Sequence, residues 1–199
     1  RISVDKRTGY LYWGEVGPDA ANDVPERGPR GYDEVNQARK AGYFGWPLFV
    51  ANNKPYNRYD FTTGQSGEKY DPAKPINDSP HNTGLKELPP AQPAFIYYPY
   101  AESPEFGSIV GTGSRNAMAG PVYYYDDYQD GKDKFPRYYN GKFFAYDWTR
   151  DFINVVTMDR EGNLSHIERF MPGEKFSHPI DMQFARDGSL YLLEYGQKW

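Results

Sequence analysis

Short runs of alternating or aromatic residues, each closed by a glycine turn, recur along the chain. Ile2 and Val4 alternate with Ser3 and Asp5, Lys6-Arg7-Thr8-Gly9 turns, and Tyr10-Leu11-Tyr12-Trp13 extends. This predicts a strand hairpin within residues 1–17. The far end repeats the design. Ile180-Asp181-Met182-Gln183-Phe184 leads through Ala185-Arg186-Asp187-Gly188 to Ser189-Leu190-Tyr191-Leu192-Leu193. Gly9, Leu11, Tyr12, Glu15 and Gly17 correspond to Gly188, Leu190, Tyr191, Glu194 and Gly196. A looser third copy spans 141–158, with Trp148-Thr149-Arg150 at its tip. Gly141 and Gly188 are 47 residues apart, near the roughly 40–50 residues of a propeller blade. Repeated aromatic hairpins of this kind predict a β-propeller, although a sandwich or jelly roll shows similar hairpins. At ~45 residues a blade, the chain holds about three to four blades. Further blades, upstream or from another chain, are therefore expected, and Arg1-Ile2-Ser3-Val4 reads as the middle of a strand.

Between the hairpins the pattern breaks down. Residues 51–104 are rich in proline, asparagine and glycine, as in Asp71-Pro72-Ala73-Lys74-Pro75 and Leu88-Pro89-Pro90. Proline removes ladder donors, so this stretch reads as a long irregular surface loop across one face. Pro93-Ala94-Phe95-Ile96-Tyr97-Tyr98 reads as a short strand at its end. The glycines of Gly107–Gly120 suggest a phosphate loop, but no Lys-Ser/Thr pair and no helical pattern follow them, which excludes that reading.

Composition supports a β protein with long loops. The 199 residues include 19 Tyr, 12 Phe, 4 Trp, 20 Gly and 17 Pro; aromatics favour strands, while glycine and proline punctuate turns. Tyrosines also stack on sugar rings, a second reading beside strand packing. The net charge is −4, with no strongly basic face, which argues against a nucleic-acid partner. The absence of cysteine excludes disulfides, thiolate metal sites and a cysteine nucleophile. No run approaches the ~18 apolar residues of a membrane span. No Ser-His-Asp order, HExxH or Rossmann glycine pattern is present, which leaves hydrolase and nicotinamide readings without support.

The densest local chemistry is Glu26-Arg27-Gly28-Pro29-Arg30-Gly31-Tyr32-Asp33-Glu34-Val35-Asn36. Gly28-Pro29 and Gly31 allow a sharp loop whose carbonyls turn inward. Asp33-Glu34 adds two hard oxygen donors, and carbonyls with carboxylates suit Ca²⁺, which takes roughly 6–8 oxygens. An acidic surface turn is the plainer alternative. The longer stretch, continued by Ala41-Gly42-Tyr43-Phe44-Gly45-Trp46-Pro47, resembles the GPxGxDExN…GxNYGWP signature of the glucose/sorbosone dehydrogenase family. Members are six-bladed β-propeller quinoproteins, many of them using pyrroloquinoline quinone and Ca²⁺. The resemblance implies an all-β chain, residues 1–199 being the C-terminal portion of one six-bladed propeller domain. It implies a periplasmic or extracellular location and oxidation of a sugar or polyol, with electrons passed to an external acceptor such as a cytochrome.

The resemblance also implies site residues. The carbonyls of Gly28 and Pro29 match ligands of a Ca²⁺ that bridges to the quinone. Glu34 and the carbonyl of Phe44 match ligands of a second, structural Ca²⁺, where Asn53 stands in place of an aspartate. Arg27 replaces a polar residue beside the metal loop. Ser114, Arg115 and Asn116 match a segment that contacts the quinone, and Arg150, with Thr149 as the alternative, matches the basic hairpin tip that approaches it. His178 and Ile180 stand where quinone-binding members carry arginines just before the residue matching Asp181. The family's base histidine lies upstream of these residues, and neither His81, His166 nor His178 matches it, so no catalytic base is carried over. These departures keep open a second expectation, a non-catalytic carbohydrate-binding or scaffold propeller within a larger secreted assembly.

Overall fold

The structure, a computed structural model, describes residues 1–197 and is all-β. The first hairpin forms as its alternation predicts: β1 (Ile2–Val4) pairs antiparallel with β2 (Leu11–Glu15), Ile2 opposite Trp13. β2 pairs in turn with β3 (Asp33–Ala38). The chain then makes an excursion through two small hairpins, β4 (Phe49–Val50) with β5 (Lys54–Pro55) and β6 (Asn57–Asp60) with β7 (Gln65–Lys69). It returns as β8 (Ile96–Tyr98) to complete the sheet β1-β2-β3-β8. A second four-stranded sheet is built in simple meander order from β9 (Ala117–Val122), β10 (Phe143–Asp147), β11 (Phe152–Met158) and β12 (Leu164–Arg169). β13 (Pro179–Phe184) and β14 (Leu190–Glu194) form the last hairpin.

The sheets are arranged as propeller blades. β9 runs beside β1 and β2 on one side and beside β13 on the other. The middle sheet is therefore covered on both faces. Phe143, Ala145, Phe152 and Val156 face Tyr12, Val35 and Ile96 of the first sheet. Phe144, Tyr146, Ile153 and Val155 face Met182 and Phe184 of the last. This explains why β10 reads as a continuous apolar run rather than an alternation: both of its faces are interior. Tyr12 stacks on Phe143 with centroids 4.3 Å apart, and both rings are 0% exposed. Burial of each such ring stabilises the fold by about 1.5–3 kcal/mol. Gly14 is required where β2 meets β9, since a Cβ there would lie 2.0 Å from the Ala117 carbonyl oxygen.

The outer blades differ from the middle one. On the first sheet, Ile2 and Val4 are 73% and 59% exposed; on the last, Tyr191 and Leu193 are 65% and 55% exposed. Each pair lies on the face turned away from the middle blade. Among the described residues the chain thus carries two four-stranded blades, the β13–β14 hairpin after them, and the β4–β5 and β6–β7 hairpins of the excursion.

The stretch expected to be an irregular loop is more ordered than its composition suggests. The Asp60 carboxylate accepts the Thr62 N–H (2.8 Å), and Gly64 sits at φ +71°, so together they turn β6 into β7. Pro55 is tolerated because β5 is only two residues long and pairs on one side. The excursion covers the face of β2 and β3 opposite the main core: Phe44 meets Trp13 edge-on at 4.7 Å, and Val50 and Ala51 pack with Tyr32, Ala94 and Tyr97.

Candidate functional site

The β2–β3, β8–β9 and β10–β11 connections and the approach to β13 all emerge at the same end of the sheets, because Glu15 pairs with Glu34, Asp33 with Tyr98, Asp147 with Ala117 and Phe152, and Pro179 with Glu194. Six of the expected site residues lie there or beside it, and two aspartates anchor the loops around them: Asp33, expected only as an oxygen donor beside Glu34, and Asp147, which the sequence reading did not single out.

The first is Asp33, which opens β3 and is 0% exposed. Its carboxylate accepts the N–H groups of Gly17 (3.1 Å) and Ala117 (2.9 Å), which ties the first blade to the second. The Arg115 Nε lies 2.9 Å from it in a fully buried ion pair. Burial still lifts the Asp33 pKa to about 6, because desolvation outweighs these donors. Arg115 also donates from Nη2 to the Pro18 carbonyl (2.7 Å) and lies 3.8 Å over the Tyr100 ring. Gly31 is needed at this junction: a Cβ would fall 1.6 Å from the Pro18 oxygen and 2.6 Å from Nη2.

The second is Asp147, at the end of β10. One oxygen accepts the Thr149 and Arg150 N–H groups at 2.8 Å each, a local Asx turn that shapes the hairpin tip. The other accepts the Asn116 N–H and the buried Tyr98 hydroxyl, both at 2.8 Å. Arg150 then reaches back across the tip. Its guanidinium donates to the carbonyls of Pro99 (2.7 Å), Val110 (2.6 Å), Gly111 (2.9 Å), Gly113 (2.8 Å) and Ser114 (3.0 Å). A guanidinium has five N–H donors, and here all five are committed to backbone. Ser114 contributes its carbonyl to this arrangement, and its side chain is exposed.

His178 stands next to that tip in a left-handed conformation (φ 54°). Its ring stacks on Trp148, and its Nδ1 lies 2.8 Å from the Trp148 carbonyl and 3.1 Å from an Asp151 carboxylate oxygen. The Asp151 carboxylate also accepts the His178 backbone N–H at 2.7 Å. Two oxygens facing Nδ1 place the proton of a neutral ring there and leave Nε2 with its lone pair.

The expected metal ligands are arranged differently. Glu34 is buried, and its two oxygens accept the Ala51 N–H (2.5 Å) and the Asn36 Nδ2 (3.1 Å). Burial first, then the neighbouring Glu15 and Asp33, raises its pKa to about 7. The Gly28 carbonyl accepts the Val24 N–H at 2.9 Å within its own turn. The Asn53 side chain, at φ 61°, donates to the Ala91 carbonyl at 2.9 Å, and Phe44 packs its ring on Trp13. The Glu34 oxygens therefore face N–H donors, which does not fit a Ca²⁺ cage. The donors expected for a quinone do not fit either, since Arg115 and Arg150 are bound internally. Arg27 points elsewhere, 3.6 Å over the Tyr59 ring, in a cleft that also contains Gly28 and Pro29 but none of Ser114, Arg115, Asn116, Arg150 and His178.

No protein-family model matches the sequence, and no curated protein matches it. Solved structures do resemble it. A crystal structure described as an oxidoreductase (glucose dehydrogenase) from Thermus thermophilus aligns with all of this chain at a TM-score of 0.51 and 14% identity. Two further glucose dehydrogenase structures align at TM-scores of 0.47 and 0.45 with 16% identity, each over 96% of this chain. The chain spans about two-fifths of the length of these structures: 41%, 39% and 39%. The first alignment establishes the likeness of fold, a propeller of the sugar dehydrogenase type. Among the described residues, no helix is long and apolar enough to cross a membrane.

Proposed function

We propose that this chain is part of a propeller that oxidises a sugar or polyol and passes the electrons to an external acceptor. What supports the reading most is the alignment of the whole chain with an oxidoreductase fold, together with the gathering of polar loops at one end of the blades. On that face His178 is the group suited to take the hydroxyl proton. Its Nδ1 is turned toward the Trp148 carbonyl and Asp151, and Nε2 is left as the acceptor. Asp151 orients the ring through its contact with Nδ1. The electron pair leaves with the hydride to an acceptor supplied from outside these residues. No step is assigned to Ca²⁺ or pyrroloquinoline quinone.

The test is reduction of an artificial dye by the protein in the presence of aldoses and polyols, with and without added quinone and Ca²⁺. Sugar-dependent dye reduction that His178→Asn abolishes supports the reading. Asparagine tolerates the left-handed backbone at that position, so this variant keeps the loop. The second reading, a carbohydrate-binding propeller without turnover, is favoured by Arg115 and Arg150 being bound internally. Glycan binding with no dye reduction under any condition supports that one.

A further inference from the structure

A largely apolar cleft lies away from His178, between the loop before β3 and the β4–β7 hairpins. It has a volume of about 480 Å³, within the roughly 300–1,000 Å³ of small-ligand sites. Its walls are aromatic: Trp46, Tyr56, Tyr59, Phe61 and Tyr70. Trp46 is 50% exposed and Phe61 84% exposed, so two flat apolar faces stand open at the cleft. Trp46 meets Tyr56 edge-on at 6.4 Å, and the Gly28 backbone presses on Tyr56 so closely that a Cβ would lie 2.7 Å from its ring. That wall is therefore preformed. In a second wall Asn57 donates from Nδ2 to the Gly67 carbonyl, and its Oδ1 has no partner.

Charge narrows the occupant. The lining contains no aspartate or glutamate and one cation, Arg27. The neighbouring guanidinium groups are neutralised, Arg30 by Asp23 at 2.7 Å and Arg58 by Asp78. Among the described residues Arg27 has no carboxylate partner. Instead it lies 3.6 Å over Tyr59 and 5.9 Å from Phe61, an arrangement that fixes the guanidinium plane while leaving its N–H edge available. A sugar ring presents an apolar C–H face to an aromatic ring and hydroxyls at its rim, and the Arg27 fork matches a planar carboxylate. We infer that this cleft binds an acidic saccharide, a uronic acid unit whose ring lies against Trp46 or Phe61 and whose carboxylate meets Arg27. The inference goes beyond the oxidation reading and does not depend on it, since the cleft binds whether or not the protein turns sugar over.

The test is calorimetric titration of the protein with glucuronic acid, its neutral methyl glucoside counterpart and pyrroloquinoline quinone, with Trp46 fluorescence as a second readout. Glucuronic acid is expected to bind about tenfold or more tightly than the neutral glucoside, and Arg27→Gln is expected to remove that margin. Phe61→Ser changes an exposed side chain and leaves the fold intact, and it is expected to weaken both sugars severalfold. Three results overturn the inference: no binding of glucuronic acid up to about 50 mM, equal binding of acid and neutral sugars unaffected by Arg27→Gln, or displacement of glucuronic acid by the quinone with the same dependence on Arg27, which makes the cleft a cofactor site. None of these depends on turnover, so each is separable from failure of the dye assay.

Discussion

Replacing Arg150 by alanine separates two roles for one guanidinium. In the structure it binds five carbonyls spread over Pro99 to Ser114 and so pins the β8–β9 connection to the β10–β11 tip. Its bonds to Gly113 and Ser114 are at the surface, where water can replace the lost donor. The bonds to Pro99, Val110 and Gly111 are partly buried, and Val110 itself is 1% exposed. Hydrogen bonds to a charged group each contribute about 1.5–3 kcal/mol, less where water competes. Three sheltered bonds, discounted for loop relaxation and for the solvent reaching Arg150, place the cost of Arg150→Ala at about 3–4 kcal/mol. For a chain of this size that lowers the melting temperature by about 10 °C. Arg150→Lys keeps the charge but loses the planar fork, and it is expected to recover less than half of the loss. Urea denaturation followed by tryptophan fluorescence measures both. A loss below about 1 kcal/mol for Arg150→Ala refutes the reasoning, because it leaves the guanidinium unneeded by the fold and available to a ligand.

Asp33→Asn leaves the Arg115 charge buried without its partner and is expected to cost about 3–5 kcal/mol by the same denaturation assay. Glu34 gives a pH dependence of defined sign. The folded carboxyl holds its proton up to about pH 7, whereas the unfolded one releases it near 4.5. The folded state therefore binds the extra proton between those values, and its stability falls as pH rises through that window, by about 3 kcal/mol from this group, levelling off above it. Glu34→Gln is expected to remove this group's share of the slope, leaving that of Asp33, and to exceed the parent in stability at about pH 8; an unchanged slope contradicts the assignment. Gly31→Ala is expected to reduce folded yield sharply, since its Cβ has no space beside Pro18 and Arg115; a normal thermal melt tells against that packing. Ile2→Ser together with Tyr191→Ser is expected to reduce self-association of the chain in sedimentation, because these residues expose apolar blade faces.

Local chemistry was legible in the sequence. The Gly9 and Gly188 turns close two hairpins where the alternation and the glycines place them, and β10 pairs with β11 within the third copy, turning at Trp148-Thr149-Arg150 while Gly141 lies before β10. The short strand before Pro99 forms as Ile96–Tyr98. β12 passed without notice because Leu164–Arg169 is polar and only half-buried, so no apolar period marks it. The β4–β7 hairpins were hidden by proline and asparagine, and β7 has no buried residue to give a period. The site residues diverged further, for a plain reason. Arg115 was identified by position, but what it does is set by Asp33, 82 positions earlier. Arg150 was identified as a cation at a hairpin tip, but its five partners come from a connection about forty residues away. Side-chain commitments of that span leave no local signal. The Asx turn at Asp147-Trp148-Thr149 was readable, and it would have marked the aspartate that holds the tip together.

The claim on which this account rests is that the polar end of the blades handles sugar hydroxyls. The most direct measurement is nuclear magnetic resonance of ¹³C-labelled glucose and a labelled polyol incubated with the protein and an artificial electron acceptor. The account predicts conversion of a hydroxyl-bearing carbon to the carbonyl level, lost in His178→Asn. Unchanged substrate signals in every condition, or conversion indifferent to that substitution, contradict it.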